Sequence, residues 1–200
     1  GKLMEYNSKI FSGLIDEYGG EAKIYDIVRD DKDVLEKTVK KALIDNDIVV
    51  INAGSSAGNK DFTVKVVEKL GRVISHGLAI KPGKPTILAQ IDDKPVIGIP
   101  GYPVSAYLMF DKCVRPLVAM GNENDEESIT ATLTRRVVST LKHKELVRIS
   151  LGYVKDKWVA TPLDRGAASI MTLVKSDGIF ELPRETEGME AGETVSVRLL

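Results

Sequence analysis

The chain has 200 residues, 43% of them hydrophobic and 28% charged, with no Gly-X-Y period and no polar low-complexity tract. That composition excludes fibrous and disordered classes and leaves an ordinary globular chain of one generous domain or two small ones. The 28 basic and 29 acidic residues give a net charge of -1, which argues against nucleic-acid binding by bulk electrostatics, so any anion has to be held by local groups.

Apolar runs such as Ile48-Val49-Val50-Ile51 are far too short to span a bilayer, and no basic segment leads into an apolar signal core, so no membrane partner is expected. The single cysteine, Cys113, can form neither an internal disulfide nor a cysteine-based zinc site, which fits a reducing cytoplasm. The sequence opens on Gly1 rather than Met, as expected of a piece of a longer polypeptide.

In chain order, Asn7 to Tyr18 puts Ile10, Phe11, Leu14, Ile15 and Tyr18 on one face of a helix, with Asn7 as its N-cap and Gly19-Gly20 as its stop. Ala22 to Val28 suits a strand. Asp33 followed by Glu36 resembles a capping box opening a helix with Val34, Leu35, Val39, Ala42 and Leu43 inward. Ile48 to Ile51, β-branched and apolar throughout, suits a strand of a parallel sheet covered on both faces by helices. A helix carrying Val64, Val67 and Leu70 follows, then a strand over Arg72 to Ile80. Thr86 to Ile91 and Pro95 to Ile99 read as two strands around an Asp92-Asp93 turn, and Ser105 to Met120 closes this part as a helix.

The polar segment Gly121 to Glu127 marks a boundary, dividing an α/β domain, 1–122, from a β domain, 123–200. Beyond it, β-prone runs at Ile129 to Leu133, Leu146 to Val154, Trp158 to Thr161, Gly178 to Leu182 and Thr194 to Leu199 predict a small antiparallel barrel or sandwich.

In an open α/β sheet, ligands bind beyond the carboxyl ends of the strands. Three loops fall at such points. Gly54-Ser55-Ser56-Ala57-Gly58-Asn59-Lys60-Asp61 is rich in small residues whose N–H groups and hydroxyls can wrap an oxyanion, or it is a plain connection capped by Asp61. Lys81-Pro82-Gly83-Lys84-Pro85 offers two cations on a stiffened backbone, or is a solvated turn. Ile99-Pro100-Gly101-Tyr102-Pro103-Val104-Ser105 is a rigid strand-to-helix turn in which Pro103 also serves as a helix-start residue. At one sheet edge the three would converge hydroxyls, cations and one carboxylate, Asp61, the candidate ligand for a divalent cation such as Mg²⁺. His76 and Cys113 read as structural, and His143, Arg135, Arg136, Lys142 and Lys144 as surface groups. Tyr153, Trp158 and Phe180 read as core.

At these loops the sequence resembles the molybdopterin molybdenumtransferases, the family of MoeA and the gephyrin E domain. The resemblance is carried by Asn52 to Thr63, Leu78 to Pro85 and Gly98 to Ser105, in that order and spacing, with looser support from Gly1 to Ser8, Ile27 to Asp31, Arg165-Gly166 to Ser169 and Ser176-Asp177-Gly178. It implies a three-layer α/β/α, mostly parallel sheet of molybdopterin-binding type followed by a small β-barrel-like domain. It also implies insertion of molybdate into adenylylated molybdopterin with release of AMP, a Mg²⁺-assisted reaction of a cytoplasmic homodimer.

By that resemblance Gly54, Ser55, Ser56 and Gly58 cradle the pterin and phosphate, and Asp61 holds the metal or orients water. Lys81 and Lys84 supply positive charge, and Pro82, Gly83, Pro100, Gly101, Pro103 and Ser105 shape the cleft. The chain departs from the family pattern at Tyr102, where many members have Asn, and at Gly77, where some have a basic residue. A first strand ending in a Thr-Gly-Asp-Glu-like turn and two N-terminal domains are not in the sequence, so the chain is expected to carry the ligand-binding half and to be poorly active alone. Two alternatives stay open: the adenylyltransferase of the same pathway and fold, and a non-catalytic binding or scaffold module.

Overall fold

The computed structural model describes residues 5–29, 31–53, 62–119 and 127–200. In chain order the elements are α1 (Asn7–Glu17), α2 (Lys32–Asp45), β1 (Val49–Ala53), α3 (Phe62–Leu70), β2 (Arg72–His76), β3 (Ile80–Lys81), β4 (Ile87–Ile91), β5 (Lys94–Pro100), α4 (Pro103–Cys113) and α5 (Arg115–Val118). Then come β6 (Ser128–Leu133), β7 (Val137–Val138), β8 (Lys144–Val154), β9 (Lys157–Pro162), α6 (Ile170–Val174), β10 (Gly178–Leu182), β11 (Gly188–Met189) and β12 (Thr194–Leu199). They fall into two compact units, Gly1–Leu78 with Gly83–Asn122, and Ala79–Pro82 with Glu123–Leu200.

The first unit is built on a four-stranded sheet in the order β1-β5-β4-β2. β1 runs parallel to β5, whereas β4 is antiparallel to both β5 and β2. The sheet is therefore mixed rather than mostly parallel. β4 and β5 form a tight hairpin because Asp92 and Asp93 both take positive φ, 48° and 62°, which suits the right-handed twist of the strands they join.

The expected strand at Ala22 to Val28 does not form. Its β-branched composition finds no ladder partner, and Ile27 is left 78% exposed. A cavity of about 1070 Å³ lies along this segment and β1, lined among others by Phe11, Leu35, Val39, Val49 and Ile51.

Apolar spacing decides what each helix buries. Val39, Ala42 and Leu43 of α2 and Val64 and Val67 of α3 pack against Ile87, Ala89, Ile91 and Val96 of the sheet. α4 is buried along most of its length, with Val104, Met109 and Phe110 fully enclosed. Phe110 stacks on Phe11 of α1 at 4.3 Å between centroids, an aromatic pair that contributes about 1 kcal/mol beyond its burial.

Two caps differ from expectation. Asp31, not Asp33, is the N-cap of α2 and accepts from the N–H groups of Asp33 and Val34. Glu36 is buried instead between Lys40 and Lys69, at 2.8 and 2.7 Å. The N-cap of α1 is Tyr6, which makes no side-chain cap bond, so Asn7 is a helical residue whose side chain is used elsewhere.

In the second unit β8, β10, β12, β6 and β9 pair in a ring, and the β8–β10 ladder closes it into a five-stranded barrel. Leu133, Val147, Ile149, Ala160, Leu182 and Val197 fill its interior. The five β-prone runs of the sequence coincide with these five strands, and the ring departs from the expected antiparallel pattern only where β6 pairs with β9 in parallel. The short β3 runs parallel to β8, with Lys81 opposite Glu145. Phe180 is core, but Tyr153 and Trp158 are 60% and 40% exposed and pack edge to face on the β8–β9 hairpin, contrary to the core expectation.

Candidate functional site

Strand register decides which loops of the first unit meet. Asn52 lies opposite Ile99 and Ala53 opposite Pro100, so the parallel β1 and β5 end together. Antiparallel β4 begins at the same edge, since Ile87 lies opposite Gly98 and His76 of β2 opposite Ile87. The chain after β1, the chain entering β4 and the chain leaving β5 for α4 therefore share one edge. Gly83, Lys84, Pro100, Gly101, Pro103 and Ser105 belong to these segments. Gly54, Ser55, Ser56, Gly58 and Asp61 lie outside the described residues.

The segment entering β4 is closed on itself. The backbone N–H and hydroxyl of Thr86 donate to the Gly83 carbonyl at 3.1 and 2.7 Å, and Leu78 N–H donates to the Lys84 carbonyl at 2.9 Å. Gly83 sits at φ 129° and packs so closely on α4 that a Cβ there would lie 2.3 Å from Met109 Sδ. Lys84 thus projects, exposed, from a rigid turn. Gly77 has φ 93°, a backbone that disfavours any residue with a side chain.

Beyond β5, Pro100 is buried, Gly101 and Tyr102 are exposed, and Pro103 occupies the first turn of α4. Ser105, 4% exposed, lies one turn into the helix. The unpaired N–H groups of this first turn give the edge a positive end suited to an anion.

Lys81 and Pro82 belong to the second unit. Lys81 Nζ donates to Thr140 Oγ1 at 2.6 Å. Glu145, buried, accepts from Ser139 Oγ at 3.0 Å and from Arg165, and so braces the Ser139-Thr140 segment beside Lys81.

Sequence reasoning missed Arg148, which is fully buried in β8. Its Nη2 donates to the carbonyls of Asp164 at 2.5 Å and Gly166 at 3.4 Å, while Nε and Nη1 have no hydrogen-bond partner among the described residues. Desolvation pushes its pKa below the usual guanidinium range. A buried cation with unsatisfied donors is costly, by several kcal/mol, and is the kind of group an oxyanion satisfies. An arginine within an alternating strand otherwise reads as solvent-facing, so nothing local signals it.

The other titratable candidates play no visible part. His76 is exposed rather than structural, and His143 is half-buried with Nδ1 unpartnered, not a plain surface group. Burial raises the Cys113 thiol, the opposite of what a nucleophile needs. Arg135 and Arg136 are exposed, and Lys144 pairs with Glu181 at 2.7 Å. Among the described residues no helix is long and apolar enough to cross a membrane.

Residues 1–120 match the family described as "Probable molybdopterin binding domain", and residues 130–200 match the MoeA C-terminal region, domain IV. The chain belongs to the molybdopterin-binding domain family. It is 38% identical over 200 residues to a Methanocaldococcus jannaschii protein named for molybdopterin biosynthesis, and 29% identical over 206 residues to the molybdopterin molybdenumtransferase of Bacillus subtilis. Each alignment takes in 100% of this chain and 48% of the relative, so the chain spans about half the length of these relatives. The crystal structure of a molybdopterin biosynthesis MoeA protein from Pyrococcus horikoshii superposes with a TM-score of 0.83 at 34% identity, over 99% of this chain and 48% of that one.

Proposed function

We propose that this chain is the molybdopterin-binding and barrel portion of a molybdopterin molybdenumtransferase, which inserts molybdate into adenylylated molybdopterin and releases AMP. The observation that carries the reading is the common sheet edge at which β1 ends, β4 begins and β5 ends. We read the first unit as a three-layer sandwich, supported by α2 and α3 packing on one set of sheet residues and by the separate α1–α4 contact.

In this reading the small-residue loop at Gly54 to Gly58 and the first turn of α4 bind the pterin phosphate. Lys84, projecting from its rigid turn, balances the charge of the oxyanion, and Lys81 is proposed as a further cation in the reaction. Such preorganised charge acts without reorganisation during the reaction. Pro100 and Pro103 keep the wall of the cleft fixed.

Mg²⁺ is part of this proposal, and its one named ligand, Asp61, lies outside the described residues. Among the described residues no three His, Cys, Asp or Glu gather as a cage, and the ion needs only one or two carboxylates besides water and phosphate oxygens. Asp61 is the proposed ligand, and the bound ion would neutralise charge at the pyrophosphate. A homodimer and a cytoplasmic setting belong to the same proposal.

The test is calorimetric titration of adenylylated molybdopterin with Mg²⁺ into the chain and into Asp61→Ala and Lys81→Ala, with AMP release followed after molybdate is added. Saturable binding weakened at least tenfold by both substitutions supports the reading. Binding of equal strength in all three proteins refutes the assigned site.

A further inference from the structure

We infer that Asn7 is a positioning residue that ties together two of the loops at the ligand edge of the sheet, an inference that rests on the reading of that edge as the pterin site. Asn7 opens α1 yet spends nothing on capping it. Its carboxamide, 6% exposed, directs its two hydrogens to distant acceptors: Asn52 Oδ1 at 3.3 Å and the Gly101 carbonyl at 3.1 Å. Asn52 is the second-to-last residue of β1, immediately before the small-residue loop, and Gly101 is the first residue after β5.

The clamp is oriented by a second carboxyl group. Glu5 accepts from Asn52 Nδ2 at 3.3 Å and, on the other side, from Ser8 N–H at 3.0 Å and Ser8 Oγ at 2.5 Å. With Nδ2 of Asn52 turned to a carboxylate, its Oδ1 faces Asn7, so a flip of the Asn52 amide would set oxygen against oxygen. The segment Glu5 to Ser8 thus joins the end of β1, at Asn52, to the chain leaving β5, at Gly101, residues 45 and 94 positions away in sequence from Asn7. No backbone ladder does this past the last pair, Ala53 and Pro100. A ligand spanning both loops needs their separation set before it arrives, since ordering them on binding would subtract from affinity.

The experiment compares the unmodified chain with Asn7→Ala, Asn52→Ala and the double variant. Asn52 is exposed, so its substitution removes the clamp with little risk to folding. Amide hydrogen exchange is expected to quicken at least tenfold at Asn52 and at Val104 to Ala106 while the amides of α2 stay protected. Affinity for adenylylated molybdopterin should fall about tenfold in either single variant, with the double variant no worse than one. Uniformly faster exchange across the unit, unchanged exchange at both loops, or additive losses of affinity would overturn the assignment. Should the unmodified chain bind no pterin, the functional reading fails, and the exchange comparison still decides the clamp.

Discussion

Replacing Gly83 with alanine tests whether the turn that carries Lys84 is held by its contact with α4. Two effects add. The backbone at φ 129° is one that a residue with a side chain rarely adopts, and forcing it costs about 1–3 kcal/mol. The new Cβ would lie 2.3 Å from Sδ and 2.5 Å from Cγ of Met109, a fully buried side chain of α4, and such overpacking costs about 1–3 kcal/mol more. The sum, about 2–6 kcal/mol, is a large share of the roughly 5–15 kcal/mol that holds a domain together.

Urea unfolding followed by circular dichroism at 222 nm, to which α1 to α5 contribute, should show the midpoint falling by about 1–3 M for a slope of about 2 kcal/mol/M. Adding Met109→Ala should restore about 1–3 kcal/mol relative to the sum of the two single changes, because the clash is gone while the backbone strain stays. An unchanged midpoint in Gly83→Ala, or strict additivity in the double variant, would refute the close packing of this turn on α4.

Acid should weaken the first unit through Glu36, whose carboxyl the bonds from Lys40 and Lys69 hold down to about 2, from an ordinary 4.5. Its folded pKa is depressed, so the stabilisation is full above 4.5 and is lost as the pH falls toward 2; Glu36→Gln should flatten the stability profile over that window, and urea midpoints at several pH values between them check it. Arg148→Met should leave the barrel's stability unchanged within about 1 kcal/mol, or raise it, since a buried cation with two unsatisfied donors among the described residues gives way well to an apolar side chain. A barrel that unfolds at room temperature in Arg148→Met would show the guanidinium to be structural.

What the sequence determined by itself was whatever depends on neighbours along the chain. The barrel strands are legible at Ile129 to Leu133, Trp158 to Thr161 and Thr194 to Leu199 because alternation records which side chains face inward, and at Leu146 to Val154 and Gly178 to Leu182 because they are apolar, β-prone runs, buried almost continuously over Leu146 to Ile149 and Gly178 to Leu182. The β4–β5 hairpin is legible in Asp92-Asp93 because that turn needs residues tolerant of positive φ. The family motifs placed the candidate loops for the same local reason: proline and glycine dictate backbone shape where they stand.

Tertiary structure decided the rest. Ala22 to Val28 has strand composition, but a strand exists only where a ladder partner lies beside it, and none does among the described residues. Asn7 has the chemistry of a cap, and only the fold brings Asn52 and Gly101 within its reach. Arg148 is indistinguishable in sequence from a solvated arginine until the fold brings the Asp164 and Gly166 carbonyls onto it and buries it. Local propensity is a property of a few bonded residues, whereas partner and burial belong to segments that meet only after the chain has folded.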